Sequence, residues 1–199
     1  MAPRPPIDVD GLRERLLANA RAVIAREGVP GLTMRALAAQ AGTSVGLSYR
    51  VFSSRDELLG ELMHVSLAEL GRELDEWSVR PGGALGDRLM EFFDLYVDSD
   101  APELVAHVTA GDDGEDRLRR AADAGLARSW SKTMTEFLRR RQQLGEVRTD
   151  VDVEAFGFIL TAAMHHVFVG NEAFRMPDRE TFARHVRAVA DAIGPEPGT

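Results

Sequence analysis

Apolar residues recur at intervals of three and four along almost the whole chain, which is the period of an amphipathic α-helix. The first such segment starts near Asp10, which can cap it, and stops at Gly28 and Pro30. Its apolar side consists of Leu12, Leu16, Ala20, Val23 and Ile24. No stretch shows the alternating pattern of a half-buried β-strand. The pattern therefore predicts an all-α fold.

Three further helices are predicted in quick succession. Thr33 can cap a second helix that Gly42 closes, and Ser44 can cap a third helix that runs to about Phe52. The residues from Ser54 to Glu57 have the spacing of a capping box. This box opens a fourth, longer helix that extends through Leu74.

The rest of the chain is divided by three polar or Gly-rich segments, "SVRPGGALG", "TAGDDGED" and "LGEVRTDVD". Helical periodicity resumes after each of them, and Pro177 interrupts it once more. Five more helices are predicted: Leu85 to Val97, from Asp100 onward, about Asp116 to Gln143, about Asp152 to Phe174, and Asp178 to Ile193. The total is about nine helices.

The second and third predicted helices form a helix-turn-helix, because a tight turn containing Gly42 joins two short helices. In DNA-binding proteins the second helix of such a pair enters the major groove, which is about 12 Å wide and admits one helix. The leading residues here are mostly small or polar: Thr43, Ser44, Val45, Gly46 and Leu47. Glycine near a helix start costs up to about 1 kcal/mol, and a close approach of the backbone to DNA would justify Gly46.

The charge distribution is compatible with this interpretation. The whole chain has a formal net charge of −8, but residues 1–60 hold eight Arg and six acidic residues, a net charge of +2. The remaining residues carry a net charge of −10. DNA phosphates interact mainly with charges within about 8 Å at physiological salt. Acidic residues elsewhere in the chain therefore do not oppose DNA binding by residues 1–60.

The segment "LTMRALAAQAGTSVGLSYRVFSSRDELL", residues 32–59, resembles the DNA-binding signature of the tetracycline-repressor (TetR-like) family of bacterial regulators. The matching positions are Thr33, the "ALA" and "AG" steps, Ser44 and Gly46, Tyr49 and Phe52, and Arg55. Two positions depart from the family pattern: Thr43 replaces an apolar residue, and Ser48 replaces Leu or Ile. Because Leu47 is apolar instead, we expect a recognition helix that is rotated or less tightly packed.

The resemblance implies roles for individual residues. It implies phosphate contacts for Tyr49 and Arg55, and a combined capping and phosphate role for Thr33. The candidates at or near base edges are Arg35, Thr43, Ser44, Val45, Leu47 and Arg50. Tyr49 could instead pack as a core aromatic, and Arg50 could be a solvated side chain. Arg4 could reach the minor groove as an arm or belong to a disordered tail.

Residues 155–170, "AFGFILTAAMHHVFVG", contain no charged residue. A helix that is apolar on nearly every side must be covered on nearly every side. A partner chain could cover it. A membrane span is the rival explanation, but the segment is shorter than the roughly 20 residues that a membrane span needs. With the last helix as its neighbour, this segment predicts a homodimer. The predicted interface consists of Phe156, Leu160, Ala163, Val167, Phe182, Val186, Val189 and Ile193.

A small-molecule effector that is partly apolar is the partner that the resemblance implies for the C-terminal part of the chain. Polar or aromatic residues on otherwise apolar faces are the pocket candidates, although ordinary core packing explains each of them as well. They are Phe92, Tyr96, His107, Trp130, Met134, Phe137, His165 and Phe168. Binding there could shift two recognition helices that a dimer holds about 34–36 Å apart, or a multiple of that.

Other chemistry finds little support in the sequence. The chain has no cysteine, which excludes disulfides and thiolate metal sites. Glu61 and His64 have the Glu-x-x-His spacing of di-iron helical bundles, but a second copy is missing among the five His. We therefore predict a regulator without catalytic residues, metal or cofactor, located in the cytoplasm because no signal peptide is evident. A helical-bundle metalloenzyme is the alternative from another class.

Taken together, the sequence predicts four parts. Residues 1–9 form a disordered arm, residues 10–55 a three-helix DNA-binding domain with the helix-turn-helix, residues 56–194 a helical effector-binding and dimerisation domain, and residues 195–199 a tail. Repression of a palindromic operator, relieved by the effector, is the default of the family. Activation, or DNA binding without an effector, stays open.

Overall fold

A computed structural model describes residues 8–110, 116, 119, 126–169 and 177–195. Those residues form nine α-helices and no β-strand, which confirms the predicted fold class. The helices are α1 (Val9–Gly31), α2 (Met34–Gln40), α3 (Val45–Val51), α4 (Arg55–Val79), α5 (Leu85–Val97), α6 (Ala101–Thr109), α7 (Leu126–Gln143), α8 (Val153–Val169) and α9 (Arg179–Ile193).

The chain divides into two compact units, residues 1–64 and residues 65–199. The division falls inside α4, whereas the predicted domain boundary at residues 55–56 coincides with the start of that helix. The predicted arm, except for residues 8 and 9, and most of the predicted tail lie outside the described residues.

In the N-terminal unit, polar side chains start the helices. Asp8, and not the predicted Asp10, caps α1 by accepting a hydrogen bond from the Gly11 N–H at 3.0 Å. Thr33 caps α2 through the Ala36 N–H, and Ser44 caps α3 through the Leu47 N–H, as predicted. Each cap satisfies a backbone donor that the helix itself leaves without a partner.

The start of α4 differs in detail from a capping box. Ser54 accepts a hydrogen bond from the Glu57 N–H at 3.0 Å, as expected. The Glu57 carboxylate, however, accepts from the backbone N–H and hydroxyl of Ser53 rather than from the N–H of Ser54. These hydrogen bonds stabilise the ionised carboxylate and hold the pKa of Glu57 below its usual value.

In the C-terminal unit, an aromatic cluster fills the centre. The fully buried ring of Trp77 lies 4.3 Å from the Phe137 ring and 5.2 Å from the Phe92 ring, centre to centre. The Trp77 indole N–H donates to the Arg88 carbonyl at 3.1 Å, and the Arg88 guanidinium lies over the Trp77 ring. This cluster joins the end of α4 to α5 and α7.

The packing of α8 on α7 requires a glycine. A Cβ on Gly157 would lie 2.2 Å from the Thr135 hydroxyl oxygen, so the two helix backbones approach too closely for any other residue. Gly157 therefore faces α7 and fixes which side of α8 points outward. Among the described residues, α9 packs mainly on α5. The predicted extensions of α7 back to Asp116 and of α8 on to Phe174 involve segments that lie largely outside the described residues.

Candidate nucleic-acid interface

The turn between α2 and α3 is built around Gly42. Its φ of 63° lies in the left-handed region that glycine adopts without strain. The Thr43 N–H then donates to the Ala38 carbonyl at 2.9 Å, which closes the end of α2. The tight turn predicted for the helix-turn-helix is therefore present, and it sets the direction in which α3 leaves α2.

The first turn of α3 presents small side chains to solvent. Ser44, Val45 and Gly46 are exposed, while Thr43 and Leu47 are half-buried. A Cβ added to Gly46 would meet no atom of the chain within 4 Å. Nothing inside the N-terminal unit requires glycine at this position, which leaves room for another molecule to approach the backbone.

The opposite side of α3 packs against the N-terminal unit. Ser48 and Phe52 are fully buried and Val51 is nearly so. Of the two expected alternatives, a rotated recognition helix is wrong, because Ser48 occupies the inward position and Leu47 stays at the edge; a less tightly packed helix stays a prediction. The Ser48 hydroxyl donates to the Ser44 carbonyl at 3.4 Å, which gives this buried polar group a partner within its own helix.

Tyr49 and two arginines lie on the outer surface of the helix pair. Tyr49 is 50 % exposed, so it does not pack as a core aromatic. Arg35 on α2 and Arg50 on α3 are exposed, as is Thr33 at the start of α2. These four side chains and the first turn of α3 supply hydroxyls and positive charges, the groups that most often contact DNA phosphates.

Arg55 has a different placement from the one that the resemblance implies. Its Nε donates to the Leu32 carbonyl at 2.6 Å, and one terminal nitrogen donates to the Val29 carbonyl at 2.8 Å. The guanidinium therefore holds the join between α1 and α2, directly before Thr33. Its phosphate role stays a prediction, and its observed role is structural.

The residues that were predicted to line an effector pocket are mostly core residues of the C-terminal unit. Phe92 and Phe137 pack on Trp77, and Tyr96 lies 6.5 Å from Trp130, ring to ring, in a second contact. Met134 is fully buried and His107 is half-buried, while the side chains of His165 and Phe168 lie outside the described residues. Burial raises the pKa of the Tyr96 hydroxyl, so this phenol is neutral at physiological pH.

A cleft of about 620 Å³ opens elsewhere in the C-terminal unit, and the predicted effector-pocket residues whose side chains the structure describes do not line it. Its walls come from the start of α5, the turn after α7 and the end of α9. Arg141 and Glu146 lie on one wall and form an ion pair at 2.7 Å.

The predicted dimer residues divide by burial. Leu160, Val186 and Ile193 are buried by the chain's own helices, which leaves those side chains without a surface to offer a partner. Phe156, Ala163, Phe182 and Val189 are half-buried, and the Phe182 ring packs edge-on against Phe93 at 4.7 Å. The side chain of Val167 lies outside the described residues.

The exposed apolar residues of α8 are different ones. Phe158 is 67 % exposed and Ile159 is 56 % exposed, with Ala155 and Ala162 exposed on the same side. The sequence did not separate this stripe from the predicted one, because α8 is apolar all round. Gly157 was the available signal, since glycine on an apolar helix often marks a close approach between helices. Within the described part of the chain, no helix combines the length and hydrophobicity needed to cross a lipid bilayer.

The Glu-x-x-His pair is placed in the N-terminal unit. Glu61 is bound by the Arg13 guanidinium, and His64 is exposed. The carboxylate that a di-iron site would need is therefore engaged in an ion pair.

Comparisons with known proteins agree with these features. A family model described as bacterial regulatory proteins of the tetR family matches residues 16–62, which include α2, α3 and the turn between them. A comparison with the sequences of curated proteins found no match.

Solved structures share the fold over nearly the whole chain. A TetR-family transcriptional regulator from Pectobacterium atrosepticum is 20% identical, with 98% of this chain and 100% of that chain covered and a TM-score of 0.68. A TetR-family regulator from Cytophaga hutchinsonii is 15% identical, with 98% and 100% covered and a TM-score of 0.67. A complex of SmeT with triclosan is 20% identical, with 95% and 96% covered and a TM-score of 0.52.

The helix-turn-helix geometry, the family match and the shared fold lead to the same conclusion. Residues 16–62 match the model of the tetR family of bacterial regulatory proteins, and the chain as a whole shares the fold of solved TetR-family regulators.

Proposed function

We propose that the protein is a homodimeric repressor that binds a palindromic DNA operator and is released from it by a small-molecule effector. The observation that carries the proposal is the first turn of α3. Ser44, Val45 and Gly46 are exposed there, and the buried Ser48, Val51 and Phe52 hold the helix from behind. Such a rigid helix with small leading residues fits the major groove.

The side chains around that turn support contacts with the DNA phosphate backbone on either side of it. Thr33, Arg35, Tyr49 and Arg50 are all exposed on the helix pair. Phosphate contacts fix the register of a protein on the duplex, whereas groups in the groove read the sequence. We therefore assign phosphate contacts to Thr33 and Tyr49. Arg35, Arg50 and the α3 leading residues, Thr43 to Leu47, lie at or near base edges.

The homodimer is supported by α8. An exposed Phe and Ile on a helix segment without charged residues form an apolar patch that is costly to leave in water. A second copy of the chain covers it most simply, because a two-fold axis places the same patch on both partners. Two recognition helices then meet two half-sites, which explains why the operator is palindromic.

The effector is supported by the aromatic interior of the C-terminal unit. Tyr96, Trp130 and Met134 provide apolar surface next to a neutral phenol, which suits a partly apolar molecule. The structurally similar SmeT was solved as a triclosan complex. A protein that reads chromosomal operators also acts in the bacterial cytoplasm, which is the location we propose.

The proposal is tested by selecting duplexes from a random library with the purified protein. We expect the selected sequences to contain an inverted repeat and to bind much more tightly than random duplex at about 150 mM salt, because base contacts add to the phosphate term. Equal affinity for selected and random duplexes, with and without candidate effectors, would contradict the function.

Activation in place of repression would show as increased transcription from a reporter that carries the selected site.

Tyr49→Ala should weaken binding to selected and random duplexes alike by about tenfold, because a hydrogen bond to a charged phosphate is worth roughly 1.5 kcal/mol. The melting temperature should hardly change, since the side chain is half-exposed. Tyr49→Phe is the matched control that removes only the hydroxyl and should lose about as much affinity. Fluorescence anisotropy with both duplexes measures the effect, and unchanged affinity for both variants would remove Tyr49 from the interface.

A further inference from the structure

Arg13 on α1 contacts three other parts of the N-terminal unit. Its Nε donates to Glu61 on α4 at 2.6 Å, and a terminal nitrogen pairs with the second oxygen of the same carboxylate. The other terminal nitrogen donates to the Val51 carbonyl at 3.2 Å. The central carbon of the guanidinium lies over the Phe52 ring, 4.7 Å from the ring centre.

Two of these contacts are at the end of α3. Val51 is the last residue of that helix, and Phe52 is the residue that caps it. A positive charge at a helix C-terminus is favourable because carbonyl groups without partners accumulate there. Arg13 therefore joins α1 and α4 to the end of the recognition helix, while Glu61 holds the guanidinium fork in one orientation.

The arrangement requires arginine. A guanidinium can bind a carboxylate with two parallel hydrogen bonds, donate a third to a carbonyl, and stack on an aromatic ring. A lysine ammonium can satisfy the charge of Glu61 but cannot make the other contacts with the same geometry. The hydrogen bonds that Arg13 donates to Glu61 also raise the pKa of Arg13, so the group stays charged at every physiological pH.

Stability alone does not account for this cluster. The Arg13 side chain is 35 % exposed, and ion pairs at such positions contribute little to folding. What the contacts determine is the orientation of α3. Directional hydrogen bonds to bases are lost when a recognition helix moves by about an ångström, whereas phosphate attraction tolerates such a movement.

We propose that Arg13 is a positioning residue for operator recognition, which sets the angle of α3 against α1 and α4 without touching DNA itself. This inference rests on the proposed DNA-binding function. The inference concerns how much more tightly the protein binds a selected duplex than a random duplex, which we call the affinity ratio, and not DNA binding in general. A residue that only supports the fold would change both affinities by the same factor.

The experiment compares Arg13→Met with Arg15→Met in the full-length protein. Arg15 is exposed on the same helix, so its substitution removes the same charge without touching α3. Anisotropy at fixed salt gives the dissociation constants for the selected duplex and for a random duplex of equal length. We expect Arg13→Met to lower the ratio of the two affinities by about tenfold, the size of one lost base contact, while Arg15→Met leaves it within about twofold.

Two further variants separate positioning from folding. Arg13→Lys keeps the stem and the charge, so we expect it to fold and still to lower the affinity ratio. The exchange Arg13→Glu with Glu61→Arg rebuilds an ion pair between α1 and α4 but removes the contacts to Val51 and Phe52. Because an ion pair at this position contributes little to folding, we expect the melting temperature of the exchange variant to stay near that of Arg13→Met, and its affinity ratio to stay low as well.

The outcomes are distinguishable. An affinity ratio that Arg13→Met and Arg13→Lys leave at the wild-type value overturns the proposal, and so does an exchange variant that restores the ratio in full. A wild-type protein that binds selected and random duplexes equally overturns the DNA-binding function instead.

Discussion

Phe158→Glu should convert the proposed dimer into monomers and weaken binding to a palindromic duplex by about 10²–10⁴-fold, the gain that linking two binding sites provides. The side chain is 67 % exposed in the single chain, so the substitution is compatible with the fold. In a two-fold interface the same position occurs in both partners. Two carboxylates would then be brought together in an apolar surface, where an unpaired charge is strongly unfavourable.

Sedimentation velocity and anisotropy measure the two effects of this substitution separately. Leu144→Glu is the matched control, because Leu144 is also exposed but lies beyond the end of α7. It adds the same charge to the same unit and should leave both the dimer and DNA affinity unchanged. A dimeric Phe158→Glu variant with normal operator affinity would exclude the α8 stripe as the interface.

Leu160 shows why the interface could not be assigned from the sequence. It is two residues from Phe158, equally apolar, and buried by the chain's own helices. Helical periodicity identifies an apolar stripe only when the remaining faces are polar, and α8 has no polar face. The close approach of Gly157 to Thr135 decides the orientation, and such a contact between two helices is not visible in either helix alone.

Local features of the N-terminal unit were predictable for the opposite reason. Capping by Thr33 and Ser44 and the left-handed turn at Gly42 depend on neighbouring residues in the sequence. The resemblance to a known family added the role of the helix pair, and the family match over residues 16–62 agrees with it.

Contacts between distant residues were not predictable in this way. Arg13 reaches Glu61, which lies 48 positions further along the chain, and no local pattern marks either residue. Arg55 was assigned to a phosphate from its position in the family signature. In the structure its guanidinium donates to two carbonyls at the α1–α2 join, because those carbonyls lie within its reach.

Trp77→Ala should lower the free energy of unfolding of the C-terminal unit by about 3–5 kcal/mol, the cost of emptying a fully buried aromatic site. The ring contacts Phe92 and Phe137, and Arg88 lies against it with only 3 % of its residue surface exposed. Burial already lowers the pKa of Arg88, and the Glu91 carboxylate compensates this cation together with the Trp77 ring and carbonyl. Removing the ring leaves a cavity beside a charge.

Urea unfolding followed by the fluorescence of Trp130, the second of the two tryptophans, measures the change. Val79→Ala is the control on the same helix, because Val79 is exposed and should cost less than about 0.5 kcal/mol. Trp77→Phe should fall between the two, since it keeps an aromatic ring but removes the N–H that binds the Arg88 carbonyl. A loss below about 1 kcal/mol for Trp77→Ala would mean that the cluster does not hold α4 to α5 and α7. Because typical domains are stable by only about 5–15 kcal/mol, the expected loss would also expose α8 to unfolding and so reduce operator binding without any change at the DNA-reading helix.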